Sequence, residues 1–103
     1  MTIDRKKIIY AILKELNNGN KQFDNESFNV EKDIYHDVIK AIINANYAEN
    51  FKMSASSDSG EIFDVWCDYA YITVEGIEFL ERNSTWGKAY GGLKEFASWI
   101  PGL

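Results

Sequence analysis

Apolar side chains near the start of the chain recur with a helical period. Ile8, Ile9, Ile12, Leu13 and Leu16 fall on one stripe, with Lys7, Lys14 and Glu15 on the opposite side, the spacing of an amphipathic helix. The run stops at Asn17-Asn18-Gly19-Asn20, residue types that tolerate the left-handed turn closing a helix. This pattern predicts a helix over about residues 3–18. Residues 20–29 are polar apart from Phe23 and Phe28 and predict at most a short helical turn. Asn29 then reads as an N-cap, with Glu31 and Asp33 placed favourably against the positive end of the next helix dipole. Ile34, Val38, Ile39, Ile42 and Ile43 form a second apolar stripe, and Asp33, His36, Asp37, Lys40 and Asn44 fall on the other face. That predicts a second helix over about 30–46.

Beyond Ala45 the period changes from 3.6 to 2. Tyr47, Phe51 and Met53 share one face of a strand near 47–54, and Ser54 to Gly60 is turn and loop chemistry. Phe63, Val65, Cys67, Tyr69 and Tyr71 then alternate with Asp64, Trp66 and Asp68. Two alternating runs around a polar loop predict an antiparallel hairpin, with Ile72 available for a third short pairing. Thr73 reads as the N-cap of a helix reaching Glu81 or Arg82. A last stripe joins Trp86, Tyr90, Leu93, Ala97 and Ile100, flanked by Phe96 and Trp99 and ended by Pro101. Gly91-Gly92 inside it costs about 1 kcal/mol per glycine relative to alanine, so that segment needs tertiary contacts to persist as a helix.

Helix, turn, helix, hairpin, helix, helix is the order of an α+β, winged-helix-like domain, with about four helices and a small antiparallel hairpin or three-stranded sheet. At 103 residues the chain is expected to be one domain over its whole length. A hydrophobic content of 46% with 15% aromatics excludes a disordered polyanion or polycation. One cysteine excludes an internal disulfide framework and fits a reducing, cytoplasmic address. No apolar run approaches the roughly 20 residues of a membrane span, and Met1 to Lys7 has no signal-peptide character.

In a winged-helix-like domain the 30–46 helix would take the recognition position and the 54–60 loop the wing tip, which points to duplex DNA. Charge argues against that reading. Residues 23–70 carry ten acids against three lysines, and the whole chain has a net charge of −5. Duplex affinity rests on cations neutralising phosphates, and the one basic cluster, Arg5-Lys6-Lys7, lies at the start of the first helix. DNA binding stays as the alternative to a protein partner or self-association.

Little catalytic chemistry is spaced for use. Asp33, His36 and Asp37 form an i, i+3, i+4 set that could hold a divalent cation, but no further ligand stands nearby, and solvated helix faces display such sets routinely. Cys67 with His36 as base is the one nucleophile pair on offer. Its place on the apolar side of a strand favours a buried, inert thiol. The glycines make no phosphate-binding loop. The chain is therefore expected to be no enzyme and to take no cofactor. Trp86, Tyr90, Phe96 and Trp99 either pack the last segment onto the core or stay partly exposed as an interface, since Trp and Tyr are favoured anchors between proteins.

Three blocks carry a resemblance over nearly the whole chain: Ala11-Ile12-Leu13-Lys14-Glu15-Leu16, the stretch from Ile72 to Asn83, and Thr85-Trp86-Gly87-Lys88-Ala89-Tyr90 with Leu93 to Phe96 and Trp99-Ile100 behind it. In this order they resemble the YjcQ family. The resemblance implies a small bacterial or phage protein of winged-helix-like fold with a phage or prophage association, and it defines no catalytic or ligand residues to carry over. The resulting expectation is a non-enzymatic module that binds protein, with Asp33, His36, Asp37, Lys40, Trp86, Tyr90 and Trp99 as the candidate interaction surface. The alternative is a winged-helix transcriptional regulator.

Overall fold

The structure is a computed structural model, and it describes residues 5–55 and 62–90. The order is α1 (Arg5–Asn17), a 3-10 turn (Glu26–Phe28), α2 (Lys32–Asn44), β1 (Ala48–Glu49), β2 (Lys52–Ala55), β3 (Ile62–Trp66), β4 (Tyr71–Ile72), α3 (Val74–Arg82) and α4 (Ser84–Ala89). Among the described residues, four helices with short antiparallel strands make this an α+β fold. The 54–60 wing tip lies mostly outside the described residues, as does everything after Tyr90, Trp99 and the Pro101 end included.

α1 is the central element. Its stripe of Ile8, Ala11, Ile12, Leu13 and Leu16 is buried because α2, α3 and β4 all pack against it. Each large apolar side chain so covered contributes about 1.5–3 kcal/mol relative to exposure. The helix ends as its sequence requires. Gly19 takes φ 86°, its N–H reaches the Leu16 carbonyl at 3.0 Å, and Asn20 N–H reaches the Glu15 carbonyl at 2.9 Å. The following loop is organised by Asp24, whose Oδ1 accepts from the backbone N–H of Glu26 and of Ser27. Phe28 is driven into the core, edge-on to Phe23 at 5.6 Å and stacked on Tyr35 at 6.1 Å between ring centroids.

Asn29 is not the cap of α2. It adopts the left-handed conformation at φ 55° and closes the 3-10 turn, and the N-cap position falls to Glu31. α2 buries Tyr35, Val38, Ile39 and Ile42 as its stripe, whereas Ile43 stays exposed. The helix is left through Asn46 at φ 60°.

The strands also depart from simple alternation. β1 pairs with β4 through Ala48–Ile72 and Glu49–Tyr71, and β2 pairs with β3 through Lys52–Trp66, Met53–Val65 and Ser54–Asp64. Among the described residues there are two antiparallel ladders of two strands each, the expected hairpin and the further short pairing at Ile72. Between the ladders one strand carries only Asn50 and Phe51, while its partner carries the four residues from Cys67 to Ala70. The surplus is taken up by a turn closed by Ala70 N–H to the Cys67 carbonyl, 3.0 Å. Asn50 sits at φ 70° and its Nδ2 donates to the Tyr69 carbonyl at 3.1 Å. Such an expansion bends a hairpin and re-aims the side chains it carries.

α3 starts where Thr73 predicts it. The Thr73 hydroxyl accepts from Gly76 N–H at 3.1 Å, the side-chain cap of a helix N-terminus. Thr73 also ties this helix to the end of α2, its N–H donating to the Tyr47 carbonyl at 3.0 Å and its hydroxyl to the Asn46 carbonyl. Gly76 lies so close to the Tyr47 carbonyl oxygen that a side chain there would collide with it.

Candidate functional site

The structure describes six of the seven residues named from the sequence, and Trp99 lies outside the described residues. Asp33, Asp37 and Lys40 are exposed on α2. Asp37 approaches Arg5 of α1 at 3.9 Å, and Asp33 Oδ1 accepts from the Ile34 N–H beside it at 2.9 Å. His36 does not join them on the polar face. It is only 8% exposed, one turn before the buried Ile39 and beside Tyr35, with ring centroids 6.3 Å apart. α2 is covered over a wider arc than its isoleucines and valine mark out, and position 36 falls at the edge of that arc. Among the described residues no three His, Cys, Asp or Glu side chains are placed to share a metal ion.

The aromatic tail is drawn into the core as far as it is described. Trp86 is half-buried and meets Tyr10 edge-on at 5.7 Å. Lys6 Nζ lies 5.8 Å over its ring. Tyr90 is 8% exposed, edge-on to Tyr10 at 6.4 Å. Its hydroxyl donates to Glu15 Oε2 at 2.8 Å, while Asn20 Nδ2 donates to Glu15 Oε1 at 2.7 Å. The buried carboxylate is thus held by two donors, which is what a buried charge needs. Burial and the Glu15 hydrogen bond push the Tyr90 phenol well above its usual range. Trp86 and Tyr90 thus both pack against Tyr10 of α1, Tyr90 buried and Trp86 half-buried.

Cys67 is buried at 3% exposure. Burial pushes its thiol above the usual 9.0, a contact with the Tyr35 hydroxyl pulls it back, and Asp68 pushes it up again. The two side chains lie 3.8 Å apart, oxygen to sulfur. A raised thiol away from solvent is the opposite of an activated nucleophile.

What the molecule does present to solvent is the distorted middle of the hairpin. Trp66 is 47% exposed and Tyr69 66%. Together with Asn50, Lys52 and Asp68 they line an open cavity of about 330 Å³. A second cavity of about 380 Å³ shares Trp66 and Asp68 and runs toward Phe23 and Asp24. The cross-strand register places Lys52 directly opposite Trp66, on one face of the β2–β3 ladder. Next to the cleft, Tyr71 donates to Glu49 Oε2 at 2.6 Å, and this bond pushes the Tyr71 phenol up. Aromatic rings, one cation, one carboxylate and one amide converge here.

Strict alternation hides this site, because it assigns Tyr69 and Tyr71 to the apolar face with Val65 and Cys67. The four-residue turn breaks the alternation, and both tyrosines come out to solvent. One signal was readable: Trp66 stands among the polar positions, between Asp64 and Asp68.

Comparison with known proteins places the chain. The sequence model of the family described as YjcQ protein matches residues 7–99. The chain belongs to the YjcQ family. It is 29% identical over 98 residues to "Uncharacterized protein YjcQ" of Bacillus subtilis (strain 168), covering 95% of this chain and 99% of that one. No solved structure matches it. The family match begins inside α1 and takes in α2 to α4 and the hairpin cleft, so the expanded turn at Cys67–Ala70 lies within the matched region and is not an appendage to it.

Proposed function

We propose that this member of the YjcQ family is a non-enzymatic, winged-helix-like module that works by binding another protein, and that it does so through the hairpin. The observation that carries the reading is the exposure of Trp66 and Tyr69 at a cleft. Large aromatics left in water are the anchors from which protein interfaces are built, and single domains keep such surface small unless it is used. The order of α1, turn, α2, hairpin and α3 supports the winged-helix-like shape. The phage or prophage association implied by the YjcQ resemblance belongs to the same proposal.

Duplex DNA has less support. The exposed charges of α2 are Lys32, Asp33, Asp37 and Lys40, so the recognition position offers no net positive charge to a phosphate backbone. No helix among the described residues is long and apolar enough to cross a membrane.

The test compares two double variants in cells that make the protein, read by the size of its native complexes. Trp66→Ala with Tyr69→Ala shifts the protein from a larger complex to the free form. Asp33→Ala with Lys40→Ala leaves the complex intact. The reverse pattern overturns the reading, as does a free form in the unaltered protein.

A further inference from the structure

The hairpin cleft has a chemistry more definite than apolar exposure. Asn50, Lys52, Trp66, Asp68 and Tyr69 line it, and among the described residues neither Lys52 nor Asp68 makes an ion pair. The two salt bridges of the described residues are Arg5–Asp37 and Lys32–Asp64. The second of these holds the neighbouring carboxylate to α2 at 3.3 Å, so Asp68 is left as the open acid of the cleft. Asn50 already donates its amide to the Tyr69 carbonyl, which fixes the turn carrying Tyr69 and Asp68 before any ligand arrives. Two aromatic faces with a free carboxylate beside them match a planar cation. A guanidinium is the side-chain cation that stacks on aromatic rings and offers several N–H donors to a carboxylate at once.

Resting on the reading of the hairpin as a protein-binding surface, we propose that the cleft receives an arginine side chain of the partner, stacked on Trp66 and Tyr69 and paired with Asp68. Lys52, opposite Trp66, takes a carboxylate next to that arginine. The ten acids against three lysines over residues 23–70 favour a cationic visitor. They also oppose the rival occupant, a nucleotide with its base on the rings and its phosphate on Lys52, since among the described residues Lys52 is the one cation lining the cavity.

The full chain, labelled with nitrogen-15, is titrated with the blocked peptide acetyl-Gly-Arg-Asp-Gly-amide, and separately with thymidine monophosphate. The peptide moves the Trp66 indole N–H and the Asp68 and Tyr69 amides. Lysine in place of its arginine weakens binding about threefold or more, because an ammonium cannot stack as a guanidinium does. Asp68→Asn weakens it by a similar factor, and Tyr69→Ala, at a site open to solvent, does so without disturbing the fold. Unmoved resonances, equal binding of the lysine peptide, or movement by the nucleotide alone each overturn the proposal. If they do so while the hairpin double variant still leaves its native complex, the arginine assignment is wrong and the protein-binding reading stands. If both fail, the hairpin is not the interface.

Discussion

Replacing Gly76 with alanine tests the joint between α2 and α3, because two physical effects pull its outcome in opposite directions. Alanine in a helix is worth about 1 kcal/mol over glycine, so propensity alone makes the variant more stable. The packing says otherwise. A Cβ on Gly76 would strike the Tyr47 carbonyl oxygen, with Ile72 Cγ1 at 2.6 Å and the Tyr47 carbonyl carbon at 3.0 Å. Ile72 is a side chain and can turn aside. The Tyr47 carbonyl cannot move freely, because it accepts the Thr73 N–H at 3.0 Å at the mouth of the same helix. Relief therefore means lifting α3 from the end of α2. Overpacking of this kind costs about 1–3 kcal/mol, and a lost backbone hydrogen bond adds about 1. Less the propensity gain, the net is a destabilisation of about 2 kcal/mol, or roughly a 10 °C fall in Tm for a domain of this size. Urea denaturation followed by far-UV circular dichroism reads it as a lower midpoint at unchanged slope. A midpoint equal to or above that of the unaltered protein refutes the close approach of Gly76 to Tyr47.

Three further outcomes follow from the buried polar groups. Tyr90→Phe keeps the ring against Tyr10 but takes one of two donors from Glu15, and should cost about 2 kcal/mol, the range for a hydrogen bond to a charged group. Pairing it with Glu15→Gln in a double-mutant cycle should recover part of that loss, and strict additivity would contradict the contact. The phenols of Tyr35 and Tyr90 are both raised above the usual 10.0. In the unfolded chain they ionise near 10, whereas the native protein holds them neutral. Their contribution is thus whole below about pH 10 and is lost as the pH climbs toward the native values. The Cys67 thiol, raised above 9.0, adds to this from about pH 9. Denaturation midpoints should be flat from pH 7 to 9 and fall above that, and a thiol reagent at pH 8 should reach Cys67 only as fast as the protein opens.

Helix periodicity carried most of the fold. α1, α2 and α3 lie within the stretches that their apolar stripes mark, and Thr73 caps α3 as its residue type requires. The errors sit where a side chain's fate depends on a partner from elsewhere in the chain. His36 looks polar beside Asp33 and Asp37, and what buries it is the cover over α2, which no local pattern encodes. Asn29 has the residue type of a cap, and the same short polar side chain also suits the left-handed turn it actually makes. The hairpin misled most, because a period of 2 cannot register four residues set against two. The extra residues at Cys67–Ala70 put Tyr69 outside while Cys67 stays inside, and the candidate site exists because of that break. Trp86 and Tyr90 were open between core and interface, and the Glu15 carboxylate that settles Tyr90 lies 75 residues away.

The central claim is that the hairpin cleft, and not the outer face of α2, meets the partner. A photo-crosslinking phenylalanine derivative placed in cells at position 69, and in a second strain at position 40, tests it in one experiment. Both positions are exposed, so either accepts the probe without disturbing the core. The account predicts a discrete protein adduct from position 69 and none from position 40. An adduct from position 40 alone, or crosslinks to DNA from that position, would contradict it.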